Sequence, residues 1–122
     1  VILDVSHNVA AVRALRDTLV GRWKGRKVIW IVAISRDKDR KGILREMLTL
    51  GRTFFFPRRD HPRLTPPEAL SDLARKQGGE AFVTPSVAEA IRRARRMTGP
   101  DSAIVITGSF YIACGAYAAL RH

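Results

Sequence analysis

Five short apolar, β-branched runs alternate with five segments of helical periodicity, and this alternation constrains the fold more than any other feature of the chain. The runs do not alternate polar with apolar residues, which is typical of strands that are buried on both faces. Strict alternation of strands and helices implies parallel strands joined by right-handed crossovers. The predicted strands are residues 1–3, 28–34, 53–56, 81–83 and 103–106.

These patterns predict an α/β fold of the Rossmann-like, three-layer kind. We expect a mostly parallel sheet of about five or six strands with helices on both faces. A chain of 122 residues, 46% hydrophobic and 27% charged, is the size of one globular domain with one core. Because Val1 already lies in a predicted strand, we expect residues 1–122 to be part of a larger protein or a trimmed chain.

Two helix starts carry the sequence of a capping box, in which a hydroxyl and a Glu side chain satisfy free amides. One runs from Thr65 to Glu68 and the other from Ser86 to Glu89. Asp39 is a further predicted cap, for the helix that follows the second strand.

The chain is strongly basic, with a formal net charge of +11. This surplus favours polyanionic partners, although basic residues scattered along the chain are also typical of solvated helix faces.

The single Cys114 excludes an internal disulfide and agrees with a cytoplasmic location. The uncharged run over residues 102–120 is long enough to raise the question of a membrane span. Thr107-Gly108-Ser109 interrupts it, so we expect no membrane partner.

Ligands of parallel α/β sheets bind beyond the carboxyl ends of the strands. Four loops meet that condition here, at residues 4–8, 35–39, 57–63 and 107–109. If the strand order is 3-2-1-4-5, the first strand is central and its loop faces the ligand crevice.

The first of these loops combines a carboxylate, an imidazole and an amide, from Asp4, His7 and Asn8. Asp4 can accept hydrogen bonds from the two hydroxyls of a ribose, and His7 can touch a phosphate or guide a proton. The alternative is that Asp4 and Asn8 only cap the following helix, and for Asn8 capping is the preferred interpretation.

Two further loops offer candidate anion contacts. Lys38 is a point charge suited to a carboxylate or phosphate, and Ser109 opens the last helix with free amides, or simply caps it.

The chain has no Gly-x-x-x-x-Gly-Lys-Ser/Thr loop and no Gly-x-Gly-x-x-Gly after its first strand. No metal site is predicted, because His61 and His122 lie in a loop and at the chain end.

Taken in order, four motifs closely resemble the C-terminal domain of folylpolyglutamate synthase and dihydrofolate synthase, in the Mur ligase family. The chain has Val5-Ser6 where that family usually has Gly-Ala, and His61 where it has Asn. The motifs are Leu3-Asp4-Val5-Ser6-His7-Asn8, Asp37-Lys38-Asp39, Asp60-His61-Pro62-Arg63 and Val105-Ile106-Thr107-Gly108-Ser109-Phe110-Tyr111.

The resemblance implies a Mur ligase C-terminal, glutamate-ligase domain over residues 1–122 of an ATP-dependent, ADP-forming amide ligase. ATP and Mg²⁺ would act in the full-length enzyme, held by an upstream central ATPase domain. This domain would hold no cofactor and be inactive alone. The implied substrates are glutamate and a folate-type carboxylate, joined through an acyl phosphate.

Residue by residue, the resemblance implies that Asp4 holds the ATP ribose and that His7 is a catalytic and substrate-binding residue beside the reacting phosphate and incoming amine. Lys38 and Ser109 would bind the carboxylates of the amino acid. Arg63 matches a family position, and no role follows for it from the sequence.

Two other classes of function stay open from the residues alone. A basic nucleic-acid-binding α/β module would use the net charge, but the sequence lacks an RNA-reading aromatic motif, so no nucleic acid is expected. A stand-alone nucleotide-sensing domain would bind ATP without a partner domain.

Overall fold

The computed structural model describes residues 2–3, 9–10, 13–14, 17, 27–58, 61–99 and 102–107. Residues 9–10, 13–14 and 17 are helical, and eight further elements have described bounds. The strands are β1 (Ile2–Leu3), β2 (Lys27–Val32), β3 (Thr53–Pro57), β4 (Glu80–Thr84) and β5 (Ser102–Thr107). The helices are α1 (Arg40–Leu48), α2 (Pro67–Lys76) and α3 (Val87–Met97).

The described strands form one five-stranded sheet in which every neighbouring pair is parallel. The α/β class and the parallel sheet predicted from the sequence are therefore confirmed. The strand order is β1-β5-β2-β3-β4, so the expectation of a central first strand is wrong. The reason is that β5 inserts between β1 and β2, pairing with β2 along its whole length.

The core has two halves, one on each face of the sheet. On one face Trp30, Phe54 and Phe56 pack against the apolar sides of α1 and α2. On the other face Ile31 and Phe55 pack against α3. The even and odd residues of β2, β3 and β5 thus belong to different halves, which explains why these strands are apolar throughout.

Strand β4 departs from the predicted burial on both faces. Its Phe82 stacks on Phe55, with ring centroids 5.3 Å apart, yet 39% of Phe82 stays exposed. Within the described sheet β4 has β3 as its one neighbour, and an edge strand is covered less completely than a central one.

Trp30 ties the sheet to the turn between α1 and β3. Its indole Nε1 donates to the carbonyls of Met47 at 3.1 Å and Gly51 at 3.2 Å. Gly51 lies so close to β2 that a Cβ atom there would meet the carbonyl oxygen of Val28 at 2.1 Å. This turn therefore needs glycine for close approach, and it is fixed against the strand by a buried donor.

Two of the predicted caps are confirmed at their side chains. Asp39 accepts a hydrogen bond from the amide of Gly42 at 3.0 Å, and Ser86 accepts from the amide of Glu89 at 3.1 Å. The Glu89 carboxylate accepts hydrogen bonds from the guanidinium groups of Arg92 and Arg93, and these hold the pKa of Glu89 below its ordinary value.

The predicted cap at Thr65 is wrong. Helix α2 begins at Pro67 with Pro66 as its N-cap, and no side chain caps it. Proline favours the first helical position, since its ring fixes φ and it has no amide hydrogen to satisfy. Thr65 is thereby displaced one residue before the cap, and Glu68 contacts Arg58 instead.

Replacing Ser86 with Ala is expected to destabilise the chain by about 1 kcal/mol, because the Glu89 amide loses its acceptor. Urea unfolding measures the loss. Thr98→Ala is the control: the Thr98 hydroxyl donates to Arg95 at the other end of α3, where the Thr98 amide also donates. Its expected cost is under about 0.5 kcal/mol. Equal losses in the two variants would contradict the cap.

No helix in the part of the chain that the structure describes is long and apolar enough to cross a membrane.

Candidate substrate-binding site

The loops that follow β2 and β3 are joined to each other beyond the edge of the sheet. Ser35 and Leu64 form an antiparallel bridge. On either side of it, the amide of Thr65 donates to Ile34 at 2.9 Å and the amide of Arg36 donates to Arg63 at 2.7 Å. The two loops leave the carboxyl ends of neighbouring parallel strands, so together they line the edge where ligands of such sheets bind.

Between these loops lies a hollow of about 470 Å³, which we call the inter-loop hollow. Three of its lining side chains are cations and one is a carboxylate, so its charge favours an anion. The lining residues are Ser35, Arg36, Asp37, Lys38, Pro62 and Arg63.

Lys38 is placed by a tight turn at the start of α1. Its amide donates to Ser35 at 3.2 Å, and its carbonyl accepts from the amide of Arg40 at 2.9 Å. Lys38 is half-buried, and it lines both the inter-loop hollow and a trough of about 480 Å³ between α1 and α2. The structure therefore brings Lys38 and Arg63, which the sequence motifs singled out, to one concave surface.

Arg36 is a site residue that the sequence analysis did not assign. Its Nε donates to the carbonyl of Leu64 at 3.1 Å, which fixes the guanidinium between the two loops. Lys38 could be predicted as a point charge from its motif. Arg36 lines the hollow only because the loops after β2 and β3 pair with each other, which the sequence does not reveal. The guanidinium is suited to a carboxylate, which it can bind in a bidentate manner.

The other predicted site residues, Asp4, His7, Asn8 and Ser109, lie outside the described residues. The strands that precede them are neighbours in the sheet: Leu3 pairs with Ile106, and Thr107 pairs with Val32. Within the described ranges, no group of three or more His, Cys, Asp or Glu side chains is arranged to hold a metal ion.

The described residues thus form a parallel α/β sheet with a hollow at its carboxyl edge that is lined by three cations and one carboxylate. The family model of the Mur ligase glutamate ligase domain matches residues 1–110. The chain belongs to the Mur ligase family, as a glutamate ligase domain. The resemblance drawn from the sequence motifs is therefore confirmed.

Several solved structures with the same fold are folylpolyglutamate synthases. One from Mycobacterium tuberculosis, complexed with ADP, is 28% identical with a TM-score of 0.82 over 95% of this chain. A bifunctional folylpolyglutamate synthase/dihydrofolate synthase from Yersinia pestis is 25% identical with a TM-score of 0.84 over 98% of this chain. The same Yersinia pestis enzyme has been solved complexed with AMPPNP and Mn ion.

This chain covers only 28% of the length of the Mycobacterium tuberculosis and Yersinia pestis chains. A third relative, folylpolyglutamate synthetase from Helicobacter pylori, is 20% identical with a TM-score of 0.78, and it adds support for the fold alone. No curated protein sequence matches the chain significantly.

Proposed function

We propose that the chain is the amino-acid-binding domain of an ATP-dependent, ADP-forming amide ligase that adds glutamate to a folate-type carboxylate. The observation that carries the proposal is the inter-loop hollow, where Arg36, Lys38 and Arg63 converge at the carboxyl edge of the sheet. A glutamate ligase family and relatives that are folylpolyglutamate synthases support the same substrate.

The reaction has two steps. The folate-type carboxylate attacks the γ-phosphorus of ATP, which gives an acyl phosphate and releases ADP. The amine of glutamate then attacks the acyl carbon, an amide bond forms, the amine loses a proton, and phosphate leaves with the electrons of the broken C–O bond. ATP and Mg²⁺ belong mainly to a central domain of the same polypeptide in this proposal.

The residues of this chain bind and position the reactants. Lys38 and Ser109 bind the carboxylates of glutamate, Asp4 holds the ATP ribose, and His7 lies beside the phosphate and the incoming amine. The cations of the inter-loop hollow give a dianionic amino acid the charge it needs. Closure of the two domains would keep the acyl phosphate away from water.

The proposal is tested by joining the chain to the upstream part of its polypeptide and measuring ADP release. We expect turnover that depends on both glutamate and the folate-type acceptor, and no turnover from the chain alone, because the ATP phosphates are held elsewhere. ADP release at an unchanged rate without glutamate would overturn the proposed activity. Turnover that survives His7→Ala combined with Ser109→Ala would overturn the assignment of those two residues while leaving the activity in place.

Binding of nucleic acid draws less support from the structure. Helix α3 has four arginines near its end, but Glu89 pairs with two of them, Arg92 and Arg93. A nucleic-acid module would show affinity for RNA or DNA that falls steeply with salt.

A further inference from the structure

A second and smaller hollow lies at the start of α2, on the other side of Arg36. Its volume is about 170 Å³, and we call it the α2 hollow. It shares only Arg36 with the inter-loop hollow. The side chains that matter for its chemistry are Arg36, Arg58, His61 and Thr65, and the Pro66-Pro67 pair closes one side.

Thr65 is the feature of this hollow that points to a ligand. The residue is only 4% exposed, and its hydroxyl has no hydrogen-bond partner among the described residues. Its amide is already used by the carbonyl of Ile34. A buried hydroxyl without a partner costs about 1–3 kcal/mol, so most such groups in folded proteins are satisfied. A ligand that accepts a hydrogen bond would remove this cost.

The charges around Thr65 specify the kind of acceptor. Arg36 and Arg58 bring guanidinium groups, and His61 adds an imidazole whose Nδ1 accepts from the amide of Arg63 at 3.2 Å. Helix α2 has ten residues and begins at this hollow. Pro66 and Pro67 have no amide hydrogen, and the amides of Ala69 and Leu70 donate to the carbonyl of Pro66. The helix dipole favours negative charge at that end. The two guanidinium groups, the dipole of α2 and the buried Thr65 hydroxyl all favour a single oxyanion in this hollow.

One carboxylate competes for this position. Glu68 contacts Arg58 at the rim, and the side chains of Arg58 and Glu68 are 47% and 55% exposed. An exposed ion pair of this type is worth only about 0–1 kcal/mol. A ligand anion can therefore displace Glu68 from Arg58 at little cost.

We propose that the α2 hollow binds one oxyanion, a carboxylate or a phosphate group, through Thr65, Arg58 and Arg36. The site adjoins the inter-loop hollow and shares Arg36 with it. Two anions have the required chemistry. One is the second carboxylate of the amino acid, which rests on the proposed function, and the other is free phosphate, which does not.

The test is a titration of the chain with inorganic phosphate, followed by amide NMR. We expect saturable shifts at Thr65 and Glu68, and Thr65→Val is expected to weaken phosphate binding by about tenfold, because a hydrogen bond to a charged group is lost. Thr65→Ser, which keeps the hydroxyl, is expected to restore the affinity. Glu68→Gln is expected to tighten binding by up to about fivefold, since it frees Arg58.

Lys76→Gln is the matched control, since it removes one positive charge at the far end of α2, outside the hollow. Absence of saturable shifts at Thr65 and Glu68, or equal weakening by Thr65→Val and Lys76→Gln, would overturn the site. A parallel titration with glutamate identifies the source. Glutamate that competes with phosphate at the Thr65 amide supports a carboxylate occupant, and phosphate that binds there without competition supports a phosphate occupant. The phosphate result stands even if the ligase activity fails its own test.

Discussion

Replacing Lys38 with Gln is expected to raise the glutamate KM of the full polypeptide by about 10- to 100-fold. A hydrogen bond to a charged group is worth about 1.5–3 kcal/mol, and each 1.4 kcal/mol is a factor of ten. Lys38 is half-buried at the inter-loop hollow, where its charge is less screened than on an open surface. Steady-state kinetics at varied glutamate and saturating ATP measure the effect.

Lys41→Gln is the matched control for that variant. It removes the same charge three residues away, from an exposed side chain outside the inter-loop hollow. If the net charge of +11 only attracts anionic substrates over a distance, the two variants will raise KM equally, and added salt will remove the difference from the wild type. A KM that rises only for Lys38→Gln assigns the effect to contact.

Replacing Trp30 with Ala is expected to cost about 3–5 kcal/mol of unfolding free energy, a large part of the total stability of a domain of this size. The side chain is fully buried against Phe54 and the helices of one face, and its indole satisfies the carbonyl of Gly51. Trp30→Phe keeps most of the volume but leaves that carbonyl unpaired, at an expected cost of about 1–3 kcal/mol. Urea unfolding measures both.

Phe82→Ala separates burial from aromatic character. Phe82 stacks on Phe55 but is 39% exposed on the edge strand, so its loss is expected to cost about half of what Trp30→Ala costs, or less. Similar losses of unfolding free energy in Trp30→Ala and Phe82→Ala would contradict the prediction that the buried Trp30 contributes more to stability than the partly exposed Phe82.

The fold could be predicted because its signals are local. Continuous apolar runs reveal central strands such as β2 and β3, in which both faces are buried. Strand order could not be read in this way, since nothing within β5 specifies that it pairs between β1 and β2. The run that forms β4 looks like the others, but its position at the edge of the described sheet leaves Phe82 exposed.

The site was predictable only in part, because short motifs reveal single residues but not which distant loops pair. Lys38 and Arg63 could be found from short motifs, whereas the role of Arg36 depends on a hydrogen bond to Leu64, 28 residues away. Thr65 shows how a correct spacing can mislead. Thr65 and Glu68 have the separation of a capping box, but the helix begins at Pro67, one residue later than that spacing predicts, and the buried Thr65 hydroxyl has no partner among the described residues.

The bridge between Ser35 and Leu64 joins the loops after β2 and β3 into one hydrogen-bonded unit. Each loop satisfies backbone groups of the other, at Arg36 and at Thr65. In a chimera with only one loop from a relative, that loop would have to pair with the other loop of this chain. In a chimera with both loops, the backbone hydrogen bonds between them are transferred together with the lining side chains. If the inter-loop hollow binds the amino acid as proposed, the two loops have to be exchanged together for a graft to transfer amino-acid preference.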